Sequence, residues 1–100
     1  MALKYRVIER EEEWKQALAG TNVRPAVVFK HSTRCPISAG ALEEFEAYLE
    51  DEPNGDVDYY LVKVVESRPI SNRIAEELKV RHESPQLLFV DKMKSVWDAS

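Results

Sequence analysis

The sequence predicts an α/β protein in which residues 1–100 form one domain, a small mixed β-sheet covered by helices on both faces. Three observations predict it. β-rich runs alternate with runs of helical period along the whole chain. One of the β-rich runs is apolar on both faces, the mark of a central position in a helix-covered sheet. The last two are separated by only a few residues, short enough to turn a hairpin, so they are expected to be antiparallel.

The first element is "LKYRVI", Leu3 to Ile8, which alternates in the strand manner with Tyr5 and Val7 on one side. The period then changes at "EREEEWKQALAG", where Trp14, Ala17 and Leu18 recur at helical spacing and Gly20 is a plausible stop. The acidic run Glu9 to Glu13 reads as the opening of that helix, where negative side chains complement the positive end of the dipole. "RPAVVFKHS" follows as the doubly buried strand, with Pro25 at its edge. After Cys35 the helical period returns, with Ile37, Ala41, Leu42, Phe45, Tyr48 and Leu49 as one stripe and Glu43, Glu44, Glu46 and Glu50 facing away. Pro53, Asn54 and Gly55 mark a turn. Val57 to Glu66 is the third strand, and "SRPISNRIAEELKV" places Ile70, Ile74, Ala75 and Leu78 on a third helix. Gln86 to Val90 and Ser95 to Ala99 close the order as a hairpin around "DKMK".

A chain of 100 residues supports one hydrophobic core, so any active site is built within this unit. With 44% hydrophobic and 32% charged residues the composition is that of an ordinary globular protein rather than a disordered one. The net charge of -4, from 14 basic against 18 acidic residues, argues against nucleic acid as a partner, because backbone binding needs clustered cations. No stretch is long and apolar enough to span a membrane, and "MALKYRVIEREEEW" lacks the apolar core of a signal peptide. A single cysteine excludes an intramolecular disulfide and fits a reducing, cytoplasmic setting.

That cysteine, Cys35, ends the stretch "VVFKHSTRC" and is followed by Pro36. Proline is favoured at the first helical position, where its missing N–H has no helical partner to lose, so Cys35 falls at the helix cap. A thiol there meets the free N–H groups of the first turn and the positive end of the dipole, which favour thiolate over thiol. Arg34 adds a neighbouring cation. A lone intracellular cysteine is more often a small buried hydrophobe, but the position between a buried strand and an amphipathic helix favours a reactive thiol. Three residues on, Ser38 occupies the place that holds a resolving cysteine in dithiol oxidoreductases, and a serine cannot resolve a disulfide. It either donates a hydrogen bond to the thiolate or is an ordinary first-turn serine.

"RHESPQLLFV" supplies a second piece. The Ser84-Pro85 bond forces extended geometry on Ser84, and a cis bond would turn its backbone outward for an extended substrate; on the residues alone the trans form has the higher base rate.

These residues carry a resemblance. "KHSTRCPIS" with "HESPQ", in this order of elements, resembles the monothiol bacilliredoxin family, also called YtxJ-like, of the thioredoxin fold. The resemblance covers nearly the whole chain. It implies a thioredoxin-like fold in which Pro85 is cis and faces Cys35. It also implies an oxidoreductase in which Cys35 reduces mixed disulfides between proteins and bacillithiol. The partners would then be bacillithiolated proteins and a low-molecular-weight thiol, with bacillithiol as co-substrate and no bound cofactor or metal. A thioredoxin fold normally adds a helix after the hairpin, whereas this chain stops at Ser100, which implies a shortened form or a less covered sheet face beside the second helix.

On this reading Cys35 is the nucleophile, with Ser38, Thr33 and the N–H groups of Ile37 and Ser38 stabilising the developing thiolate. Pro36 sets the helix start, and Ser84 and Pro85 hold the substrate. Arg34, Lys30 and His31 are candidates for an anionic part of the small thiol, although strand alternation forbids Lys30 and His31 from both facing it. His82 is the better placed of the two histidines, since the resemblance brings its segment beside Cys35; for each, a surface or hydrogen-bonded histidine is the plainer reading. Two other classes remain: an iron-sulfur or metal carrier of the monothiol glutaredoxin kind, disfavoured by Pro36-Ile37 between cysteine and serine, and a binding module without chemistry. Neither histidine stands at a zinc-ligand spacing from the other.

Overall fold

The computed structural model describes residues 5–51 and 53–100. Its elements in chain order are β1 (Arg6–Val7), α1 (Glu11–Gly20), β2 (Ala26–His31), α2 (Pro36–Asp51), β3 (Asp58–Lys63), α3 (Arg68–Leu78), β4 (Gln86–Asp91) and β5 (Lys94–Ala99). The strands form one sheet in the order β1-β3-β2-β4-β5. β1, β3 and β2 run parallel, while β4 pairs antiparallel with β2 and with β5. The mixed sheet and the final hairpin are those expected from the sequence.

The doubly apolar β2 is central, flanked by β3 and β4, and alternation along it builds two cores. Val28 joins Trp14, Leu18, Val62, Ile70 and Ile74 under α1 and α3. Phe29 joins Phe45, Leu49 and Leu61 under α2, where its ring stacks on Phe45 with centroids 5.1 Å apart. Burying side chains of this size contributes about 1.5–3 kcal/mol each, so the two layers hold the sheet from opposite sides. Among the described residues α2 alone covers the second face. Beside it an open apolar groove of about 490 Å³ runs over Phe29, Phe45, Tyr59, Phe89 and Trp97, with Trp97 56% exposed. The less covered face expected from the sequence is this one.

Several boundaries differ from the sequence reading, each for a local reason. β1 is shorter than Leu3 to Ile8, and Leu3 and Lys4 lie outside the described residues. α1, by contrast, ends at Gly20 as read from the sequence, and Thr21 closes it by donating its hydroxyl to the Leu18 carbonyl at 2.6 Å. The acidic run opens α1 as expected, but Glu13 does more than complement a dipole: its carboxylate accepts the backbone N–H groups of Glu9 and Arg10, both at 3.0 Å. Those bonds, the one from Glu9 first, hold its pKa below the ordinary carboxylate value.

On α2 the buried stripe differs from the sequence expectation at its start. Ile37 is 75% exposed, whereas Ser38 is fully buried. Counting back from Phe45 in helical turns reaches Ala41 and Leu42 and then Ser38, which leaves Ile37 pointing outward. Tyr48 is also exposed. In the β4-β5 hairpin Lys92 and Met93 both have positive φ, 50° and 64°, as a two-residue type I′ turn requires. Neither residue is glycine, and Thr21 holds the turn, its carbonyl accepting from Lys92 N–H at 2.9 Å and its hydroxyl from Met93 N–H at 2.8 Å.

Candidate active site

The carboxyl ends of the parallel strands β2 and β3 lie side by side, with His31 opposite Lys63, so the loops that follow them, residues 32–35 and 64–67, are neighbours. Crevices at such ends are where α/β sheets place their chemistry. Cys35 ends the first loop. It is a half-buried free thiol, and Pro36 after it is the first residue of α2. Ala39 N–H donates to the Cys35 carbonyl at 3.0 Å, which closes the first helical turn on Cys35. The cysteine is therefore the cap, as the Cys-Pro order predicts, and the N–H groups of Ile37 and Ser38 have no partner within the helix.

Ser38 is turned inward. Its Oγ accepts the Ser32 N–H at 2.9 Å and lies 2.8 Å from His31 Nδ1. The hydroxyl thus ties together the end of β2, the loop that carries Cys35 and the first turn of α2. Ser38 is therefore more than an ordinary first-turn serine, because its bonds serve the loop. Ser38→Ala is expected to strand the Ser32 N–H and the His31 Nδ1, costing about 1–3 kcal/mol. A thermal melt would show this as a Tm lowered by roughly 5–15 °C, and an unchanged melt would dismiss the tie.

Thr33 is likewise engaged elsewhere. Its exposed hydroxyl donates to Glu66 at 2.8 Å, so it is not placed to stabilise a thiolate. That bond is the first reason that Glu66 has a pKa below the ordinary carboxylate value, with the cations Lys63 and Arg34 assisting. Glu66 was missed in the sequence; the signal available was the parallel pairing that brings the two loops together. Arg34 is exposed, as a group meeting an anionic ligand must be.

Lys30 and His31 face opposite sides of β2, as alternation requires. Both are buried, at 0% and 6% exposure, so neither is available to a small thiol in solution. Lys30 Nζ donates to the Ser71 carbonyl at 3.1 Å and approaches His82 Nδ1 at 3.2 Å, and Ser71 Oγ meets the same ring nitrogen at 3.2 Å. Burial pushes the Lys30 pKa down to about 8. His82, half-buried, is held below its ordinary value by burial first and then by the charges of Lys30 and Arg68, with Glu83 opposing.

The segment bearing His82 continues into Ser84 and Pro85. The Ser84-Pro85 bond is cis, as the resemblance implied. Gln86 pairs with Lys30 across β2 and β4, which sets Pro85 at the same end of the sheet as the loop to Cys35. The structure thus gathers Thr33, Arg34, Cys35, Pro36, Ile37, His82, Ser84 and Pro85 at one end of the sheet, with Ser38 buried beneath. Among the described residues no three His, Cys, Asp or Glu side chains gather as a metal site.

The sequence profile of the family described as monothiol bacilliredoxin BrxC matches residues 6–100. The chain belongs to the monothiol bacilliredoxin family. Solved structures agree on the fold. A thioredoxin-fold protein described as a candidate oxidoreductase is 30% identical, with a TM-score of 0.80 over 96% of this chain and 81% of that one. The thioredoxin of Malassezia sympodialis is 24% identical, with a TM-score of 0.76 over 98% of this chain and 79% of that one. Thioredoxin O2 of Arabidopsis thaliana in its oxidised state is 23% identical, with a TM-score of 0.76 over 99% of this chain and 84% of that one. Family and fold together give this chain a thiol redox role, that of a thiol-disulfide oxidoreductase.

Proposed function

We propose that this chain is a monothiol oxidoreductase that removes bacillithiol from protein mixed disulfides through Cys35, and that it works in the reducing cytoplasm. The observation that carries the reading is the half-buried free thiol at the cap of α2, at the end of the sheet that also holds exposed Arg34 and the Ser84-Pro85 segment. Family membership supports bacillithiol as the small thiol. Among the described residues no helix is long and apolar enough to cross a membrane.

The Cys35 thiolate attacks the bacillithiol sulfur of the mixed disulfide. A bond forms between that sulfur and Cys35 Sγ as the protein-to-bacillithiol S–S bond breaks. The protein cysteine leaves as a thiolate and takes a proton from water; it is reduced, and Cys35 is oxidised to its own mixed disulfide. The chain has one cysteine, so a second low-molecular-weight thiol must attack the capped Cys35 and regenerate the thiolate, carrying the bacillithiol away as a disulfide. Arg34 meets the small thiol, while Ser84 and Pro85 flank the protein substrate.

Mass spectrometry after exposure to a bacillithiolated protein tests the reading. The expected result is one bacillithiol adduct on Cys35 with release of the free protein thiol, formed faster than with the corresponding glutathione mixed disulfide. Equal preference would remove bacillithiol as the specific partner, and no adduct would remove the mechanism.

A further inference from the structure

Lys30 is a buried cation with no carboxylate beside it among the described residues, and the exchange chemistry does not use it. Its ammonium group has hydrogens to give and nothing with which to accept. The nitrogen that it faces, His82 Nδ1, therefore accepts, and the Ser71 hydroxyl directs its own hydrogen to the same atom or to another acceptor. A ring whose Nδ1 accepts carries its proton on Nε2 when neutral. Nδ1 is the nitrogen turned inward to Lys30 and Ser71, and the ring as a whole is half-buried.

We infer that Lys30 is a positioning residue: together with Ser71 it holds His82 neutral and in the Nε2–H form, so that the ring offers a hydrogen-bond donor to an acceptor atom of the bound disulfide substrate. The substrate half of this inference rests on the function proposed above; the tautomer half does not. The charged groups facing His82 agree with it. Lys30 on β2 and Arg68 on α3 both oppose a proton on Nδ1, and Glu83 in the same segment favours it. Burial sets the same direction. His82 lies three residues before Pro85, at the end of the sheet where the Cys35 loop departs, so a donor there is within the substrate's neighbourhood.

The experiment is 15N NMR of the ring nitrogens in the full chain, with exchange kinetics on bacillithiol disulfide as the probe, for the parent, Lys30→Met and Ser71→Ala. The parent is expected to show an unprotonated Nδ1 and a protonated Nε2 at pH 7. In Lys30→Met the ring's protonation midpoint should move up, and both tautomers should appear. KM for the probe should rise roughly 5- to 10-fold with kcat little changed, the signature of one lost binding hydrogen bond. That rise should shrink as pH falls through the new midpoint, because the protonated ring carries hydrogen on both nitrogens and regains its Nε2–H donor. Ser71→Ala should weaken the tautomer preference without moving the midpoint as far, since no charge is removed. An Nδ1–H ring in the parent, or a Lys30→Met ring with parental tautomer and midpoint, would overturn the positioning role. A parental ring as expected but without exchange would strike the proposed function and the substrate half, leaving the Lys30 to His82 linkage standing.

Discussion

Cys35→Ser is expected to give a folded protein whose thiol-disulfide exchange falls to the uncatalysed background. Serine is among the preferred residues at a helix cap, and the Cys35 carbonyl that closes the first turn of α2 is untouched by the change. Thermal stability should therefore move by no more than about 0.5 kcal/mol. Activity has no such refuge, because the chain contains no other thiol and an alcohol stays protonated at neutral pH. The check is a melt beside an assay of bacillithiol release from a labelled protein. Measurable exchange by the variant would transfer the chemistry away from residue 35. Were the protein a binding module instead, parent and variant would bind partners equally and neither would catalyse release.

What was legible in the sequence was whatever is local. Pro36 fixed the helix start by its own backbone geometry, and Cys35 at the cap followed from its place one residue earlier. The two-faced apolar character of "RPAVVFKHS" places a strand at the centre before any pairing is known, and β2 is that strand. Period alone was less secure at the ends of elements, where one residue decides a face, and it put Ile37 inward in place of Ser38. The rest of the site depends on residues far apart in the chain. Lys30 meets a carbonyl 41 residues away and a ring 52 residues away. Thr33 meets Glu66 only because β2 and β3 run parallel and release their loops together. A lysine in a strand reads as a surface cation, since a buried lysine is rare; nothing within a few residues of Lys30 announces the pocket that receives it.

Lys30→Met is expected to leave the fold intact and to make it more stable at neutral pH, by about 1–3 kcal/mol. Replacing a buried charge by an apolar side chain of similar length removes a desolvation cost, and it is harmless only where the former partners remain satisfied. They do here: the Ser71 carbonyl lies within α3, where the helix supplies its own donor, and His82 Nδ1 keeps the Ser71 hydroxyl. The pH dependence gives the sign. In the folded protein Lys30 titrates at about 8, against 10.5 for an ordinary lysine. Below pH 8 both states carry the proton and the folded state bears the full cost of the buried charge. Between about pH 8 and 10 the folded state has released a proton that the unfolded chain still holds, so the parent gains stability as pH rises. Lys30→Met lacks this gain, and the stability difference between the two proteins should narrow across that window. Tyr5 and Tyr59, each pushed up to about 12 chiefly by burial, act in the opposite direction above pH 10, but they are common to both proteins and cancel in the difference. Urea unfolding of both at pH 7, 8, 9 and 10 measures it; a constant difference would mean that Lys30 is not the titrating group. A gain in stability accompanied by the weakened substrate binding described above would show a buried charge that costs the fold and serves the site.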